Sequence, residues 1–248
     1  MAGHSQFANR KHRKGAQDAK RSKIFTKVSK EIVVAVKLGG DDMSSNPRLR
    51  SAILSARAVN MPNDKVQKAI AKGTSSDPDS NYQEVRFEGY APGGAQVIVE
   101  CLTDNNNRTF SEIRTIFSKL GGNLGVQGSV SYAFDRLAFL NFSADTKDRD
   151  IFFEAAVDAG ASDVKFEDDI FIAVAPIDDM AIVKEALEKK FGDIISFAIA
   201  WVPQALIELS GEESIEKFEN FIETLEENDA VQNIYSNVNL FKKEGHHE

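Results

Sequence analysis

The stretch LAFLNFSADTKDRDIFFEAAVDAGASDVKFEDDIFIAVAPIDDMAIVKEALEKKFGDIISFAIAWV, residues 137–202, decides the fold. Leu137–Phe142, Asp163–Glu167, Ile170–Ala175 and Ile194–Val202 have strand length and strand composition, whereas Arg149–Ala159 and Asp179–Lys190 have helical length and spacing. The order is βαββαβ, that of a ferredoxin-like domain. On the N-terminal side, Ala95–Thr103 predicts a strand, Asn107–Leu120 a helix and Ser129–Phe134 a strand. On the C-terminal side, Ala205–Leu209, Glu212–Glu227 and Val231–Ser236 predict strand, helix and strand. Joined, these two halves spell the same order again. The economical reading is a split ferredoxin-like α/β domain, residues 79–135 plus 204–240, with a second one, residues 136–203, inserted into it.

Upstream, TSSDPDSN (74–81) has linker chemistry and closes a different kind of segment, a basic arm and helical domain over residues 1–78. Gln17–Leu38 predicts a helix with Ile24, Phe25, Val28, Ile32, Ala35 and Val36 on one face; Gly39-Gly40 ends it. Asn46-Pro47 reads as the cap and first residue of a second helix, whose stripe is Leu49, Ala52, Ile53, Ala56 and Val59. A third follows Pro62 and packs Val66, Ala69 and Ile70. The expected fold is therefore α+β and multidomain: an N-terminal three-helix domain followed by two ferredoxin-like α/β domains, the second inserted into the first.

The formal net charge of -8 conceals a partition. Residues 1–72 hold 16 Lys+Arg and 5 Asp+Glu, a net of +11, so the remainder carries -19. A charge asymmetry of this size points to a basic module for polyanions. Arg10, Lys11, His12, Arg13 and Lys14 lie in a segment with almost no apolar content, read as an arm that is loosely tethered when free. Lys20, Lys23, Lys27 and Lys30 fall on one side of the first helix beside Arg21, and Arg48, Arg50 and Arg57 supply the basic residues of the second. Several cations on one surface are what a phosphate backbone requires, because each contact releases condensed counterions. These thirteen residues are the candidate nucleic-acid contacts.

TDNNNRT (103–109) is a candidate second contact through Asn105, Asn106, Asn107 and Arg108. It has more capping residues than one helix start needs, and an Arg in the first turn opposes the helix dipole. The glycine-rich GYAPGGA (89–95) and GGNLGVQGS (121–129) match neither phosphate-loop nor dinucleotide-binding spacing and read as turns. No His lies near a Ser or Cys nucleophile within a folded segment, and no Cys/His set has metal-ligand spacing. The expectation is a protein that is not an enzyme, with no cofactor, metal or small-molecule substrate. No apolar run approaches the ~18 residues of a membrane span. The basic N-terminus lacks the apolar stretch of a secretory signal, and the single cysteine, Cys101, fits a cytoplasmic setting.

GHSQFANRKHRKGAQDAKRSKIFTK (3–27), NPRLRSAI (46–53), NMP (60–62), TDNNNRT (103–109) and GGNLGVQGSVSYAF (121–134) closely resemble the YebC family, collinearly over residues 2–240. The family's arm reads closer to GHSKWANIKHRK; here Gln6, Phe7 and Arg10 replace a Lys, a Trp and an aliphatic residue. The resemblance implies one helical and two α/β domains. It also implies gene regulation. Bacterial members are described as transcriptional regulators that bind DNA, a mitochondrial relative as a translational activator, and other bacterial members as acting at the ribosome. Three readings follow: a DNA-binding transcriptional regulator, a ribosome-associated translation factor on ribosomal RNA, and a protein-interaction module that uses no nucleic acid.

Overall fold

The computed structural model describes residues 17–239 except 76, 78, 79, 146 and 147, so the expected Arg10–Lys14 arm lies outside the described residues. Helix α1 spans Gln17–Gly39, α2 Pro47–Ala58 and α3 Asn63–Thr74. Ile32, Val33, Ala35 and Val36 of α1 share one core with Leu49, Ala52, Ile53 and Ala56 of α2 and Val66 and Ala69 of α3. Gly40 ends α1 in the left-handed region, at φ 82. Buried Asn46 then joins two helices at once. Its Oδ1 accepts from the Leu49 N–H at 3.0 Å, and its Nδ2 donates to the carbonyls of Ala35 at 2.8 Å and Gly40 at 2.7 Å. At NMP, Asn60 takes the left-handed conformation that Asn tolerates, at φ 53. Met61 drops into the core and Pro62 opens α3.

Strand β1 is Gln83–Tyr90, β2 Gln96–Thr103, α4 Asn106–Lys119 and β3 Asn123–Leu124. The insertion follows as β4 Phe134–Ser143, α5 Arg149–Asp158, β5 Asp163–Glu167, β6 Ile170–Pro176, α6 Met180–Phe191 and β7 Ser196–Pro203. Helix α7, Glu212–Glu226, and strand β8, Val231–Ser236, are the last helix and strand among the described residues. The sheets are β3-β1-β2-β8 and β5-β6-β4-β7. The second has the ferredoxin-like order. Its helices bury Phe152 stacked on Phe171 at 4.4 Å and edge-on to Phe191 at 4.9 Å. The fold is α+β and multidomain: a three-helix domain, then two four-stranded α/β domains, the second, of ferredoxin-like order, inserted between β3 and α7 of the first.

The first sheet reaches its arrangement by a different route from the one expected. Ser129–Phe134 is not a strand: Ser131–Ala133 forms a 3-10 turn, and extended chain starts at Phe134. Ala205–Leu209 makes only an isolated bridge, Ile207 to Val238. The strand beside β2 is β1, which sends Phe87 into the core and pairs with β3 at Gly89–Leu124 and Tyr90–Asn123. A hairpin of five connecting residues, closed by Ala91 N–H on the Ala95 carbonyl at 2.7 Å, brings β1 beside β2 at little entropic cost. The stretch 205–209, squeezed between Pro203 and Ser210-Gly211, has no such advantage.

The described chain forms two compact units. One contains the helical residues up to Gln83 together with Arg136–Trp201; the other contains Glu84–Asp135 and the chain from Val202. Within the first unit, Ser51 Oγ accepts the Phe197 N–H at 3.0 Å.

Helix α3 seats closely on α1 because residue 73 is glycine. A Cβ there would stand 2.6 Å from Val36 Cβ and 3.1 Å from the Val33 carbonyl oxygen. Gly73→Ala is expected to destabilise the protein by roughly 1–3 kcal/mol, the usual cost of overpacking, despite alanine's better helix propensity. Urea denaturation of the two proteins checks it; an alanine variant as stable as the parent contradicts the close seat.

Candidate nucleic-acid interface

The apolar stripe of α1 turns toward α2 and α3, which leaves its lysine side outward. Arg21 is exposed, and Lys23, Lys27 and Lys30 are half-buried along their stems. α3 contributes a second row alongside. The Arg21 guanidinium lies 5.4 Å from the centre of the Phe25 ring and Lys65 Nζ 4.9 Å from it. Two and a half turns beyond Arg21 on α1, Lys30 Nζ lies 5.5 Å from the Tyr82 ring and Lys72 Nζ 5.6 Å from the same ring. Lys72 also donates to the Tyr82 hydroxyl at 3.4 Å. Each ring thus gathers one cation from each helix. Arg21 reaches the Asn60 carbonyl at 3.4 Å, and Lys37 is held by Asn81 Oδ1 at 2.5 Å.

The structure therefore brings Arg21, Lys23, Lys27 and Lys30 together on α1. The Lys20 side chain and Arg10–Lys14 lie outside the description. Two members of the predicted set have partners within the protein. Arg48 is bound bidentately to Glu31, at 2.7 and 3.2 Å. Arg50 donates to the carbonyls of Met43 at 2.7 Å, Ser44 at 2.8 Å and Ile194 at 3.4 Å. Both guanidinium forks are spent on structure, because a half-buried cation has to be satisfied locally. Arg57 is exposed at the end of α2. Lys65 and Lys72 were not among the predicted residues. Their signal was present: at ~100° per residue, Lys65, Lys68 and Lys72 fall within about 60° of arc, beside the Val66–Ala69–Ile70 stripe.

The candidate second contact is occupied by its own helix start. Asn105 Oδ1 caps α4 by accepting the Arg108 N–H at 3.0 Å. The Arg108 side chain pairs with Asp104 at 2.5 Å and approaches Glu112 at 3.9 Å. The arginine that opposed the helix dipole thus sits between two carboxylates, and the cluster is net negative. Thr103 and Thr109 hydroxyls close the turn beneath it at 2.7 Å.

GGNLGVQGS is organised by Glu88, a residue of the strand that the sequence reading missed. Its buried carboxylate accepts the N–H groups of Val130 at 3.1 Å and Ser131 at 2.9 Å, with Arg86 Nε 3.0 Å away. Its backbone carbonyl accepts from Gly125 at 2.8 Å. Burial pushes the Glu88 carboxyl up, but the N–H groups of Gly128, Val130 and Ser131 outweigh it and hold the pKa below the ordinary 4.5.

A cleft of about 330 Å³ lies within the first unit, lined by Leu38, Pro47, Met180, Ile194 and Phe197. Its cations Arg48 and Lys184 are paired with Glu31 and Glu188, and no nucleophile–base pair faces it. Among the described residues no group of His, Cys, Asp and Glu could hold a metal ion, and no helix is long and apolar enough to cross a membrane.

A basic two-helix surface on a three-helix domain, followed by two nested α/β domains, defines a class of multidomain α+β protein. The chain belongs to the TACO1/YebC family: residues 5–76 match its N-terminal domain and residues 82–238 its second and third domains. It is 49% identical over 241 residues to a "Probable transcriptional regulatory protein" of Magnetococcus marinus, covering 97% of this chain and 96% of that one. A protein of the same description from Treponema denticola is 46% identical over 240 residues, 97% of each chain. The crystal structure of a conserved hypothetical protein from Aquifex aeolicus superposes with a TM-score of 0.69 at 39% identity, covering 96% of this chain and all of that one.

Glu88 links the loop to pH. A carboxyl whose folded pKa lies below its unfolded value adds stability above the unfolded value, and that stability is lost as pH falls through the folded one. Glu88→Gln is expected to cost roughly 1.5–3 kcal/mol at pH 7, the scale of hydrogen bonds to a charged group. The gap between the two proteins should narrow as pH falls below 4.5. Urea titrations from pH 7 to pH 3 measure it; a gap that stays constant removes the charge from the account.

Proposed function

We propose that this chain is a nucleic-acid-binding regulator of gene expression, not an enzyme, and that it contacts DNA through the basic surface of α1 and α3. One observation carries the reading. Cations from two helices converge on Phe25 and Tyr82, in the positive part of an otherwise acidic chain. A polyanion offers such a surface counter-charge along its whole length. The Magnetococcus and Treponema relatives, described as probable transcriptional regulatory proteins, support transcription as the process. The Arg10–Lys14 arm, through its sequence, extends the same charge.

A second reading places the same surface on ribosomal RNA, in translation. It draws on the occupied forks of Arg48 and Arg50, which leave the helical domain poor in the side chains that read base edges in a DNA groove. Both readings have a cytoplasmic protein acting on nucleic acid.

Reversing charge on α1 tests the shared part. Lys23→Glu, Lys27→Glu and Lys30→Glu together are expected to weaken binding to labelled duplex DNA by at least about tenfold at moderate salt. Circular dichroism should be unchanged. Equal binding by the variant removes this surface from the function. Sedimentation with ribosomes at the same salt then separates the two readings: retention by ribosomes with weak duplex binding favours translation, the reverse favours transcription.

A further inference from the structure

We propose that α1 and α3 form one phosphate-backbone track that binds without regard to base sequence, and that Lys65 and Lys72 of α3 are contact residues on it. This rests on the nucleic-acid reading of the same surface and says how the surface recognises its ligand.

The first argument is electrostatic. Arg21 and Lys65 share the Phe25 ring, and Lys30 and Lys72 share the Tyr82 ring. The ring distances put the two charges of each pair no more than about 11 Å apart, close to the Debye length at 0.1 M salt. Like charges this close repel, and a chain of phosphates relieves them. The rings hold the ammonium and guanidinium groups in place, and a ring face does not itself cancel a charge. Part of the side-chain entropy otherwise lost on binding is thus already lost in the free protein.

The second argument is geometric. Arg21 and Lys30 are nine residues apart on α1, ~13 Å of rise, or about four phosphates along one strand. Lys65 and Lys72 accompany them in the same direction on α3, so the two charge pairs form successive rungs. Lys23 and Lys27 lie between the rungs on α1, and Lys68, 3.8 Å from Asp64, lies between them on α3.

The third argument is chemical. Apart from Arg21, every cation on this track is lysine. Lysine meets phosphate as a point charge, whereas base edges are read by bidentate Arg, Asn and Gln. The helical domain does possess such forks at Arg48 and Arg50, but Glu31 and three backbone carbonyls hold them. What the surface presents is charge at regular spacing, with little means of discriminating bases.

The test uses the full chain and fluorescence anisotropy. Two labelled 20-base-pair DNA duplexes of unrelated sequence, and an RNA duplex matching one of them, are titrated across a salt series. The parent is expected to bind the two DNA duplexes within about threefold of each other. Lys65→Gln with Lys72→Gln is expected to flatten the slope of log affinity against log salt by about 1.8, or ~0.9 for each lost phosphate contact. It should weaken both duplexes alike, by tenfold or more at low salt. Lys65→Arg with Lys72→Arg should restore the slope, and Lys189→Gln on α6 should leave it unchanged. The proposal is overturned if the Gln pair binds with the parent's slope, or if the parent prefers one DNA duplex more than tenfold and the Gln pair keeps that preference. A parent that binds neither DNA nor RNA overturns the functional reading itself, a result distinct from binding with an unaltered slope.

Discussion

Most of what the helical domain offers depends on how closely α3 lies against α1. The missing side chain at Gly73 lets the helices approach until Val36 fills the space. That approach sets the register in which Lys65 reaches the ring of Phe25 and Lys72 the ring of Tyr82. Core packing and surface charge are therefore one problem here. The apolar stripes of the two helices fix their mutual rotation, and the rotation decides which lysines share a surface. Asn46 stiffens the other end of the domain by capping α2 while tying off the carbonyls at the end of α1.

Charge is distributed by use as much as by count. Arg48 and Arg50 sit among the basic residues in sequence, yet one is held by Glu31 and the other by the carbonyls of Met43, Ser44 and Ile194. Arg108 stands between Asp104 and Glu112. Arg21, Lys30, Lys65 and Lys72 lie over the aromatic faces of Phe25 and Tyr82, and a ring face orients a positive group without itself cancelling the charge.

Much of this was legible in the sequence. The inserted ferredoxin-like order could be read because each of its strands and helices keeps its own period over enough residues. The split domain was harder. β1 carries Arg86 and Glu88 in its interior, and a buried carboxylate that holds a loop looks, in sequence, like an exposed polar residue. Without β1, the short run at 205–209 was given a strand's place that a single bridge cannot fill. The α1 lysines stood out because they cluster in sequence. Lys65 and Lys72 did not, since their membership depends on which helix α3 packs against. Arg50 could not have been assigned to structure by spacing, because one of its acceptors is 144 positions away.

The nesting of one domain inside another has a temporal side. β2 pairs with β8 over Val97–Ser236, Ile98–Tyr235, Val99–Ile234 and Glu100–Asn233, so the sheet that starts at β1 lacks an edge until the last strand exists. As the chain leaves the ribosome, the three helices and then the whole insertion can fold while β1, β2 and α4 wait. Gln204 marks the return: its N–H bonds the Ala133 carbonyl at 3.0 Å and its side chain bonds Asp135 at 2.9 Å, joining exit to entry. The first sheet therefore closes only when β8, which follows the whole insertion in the chain, is in place.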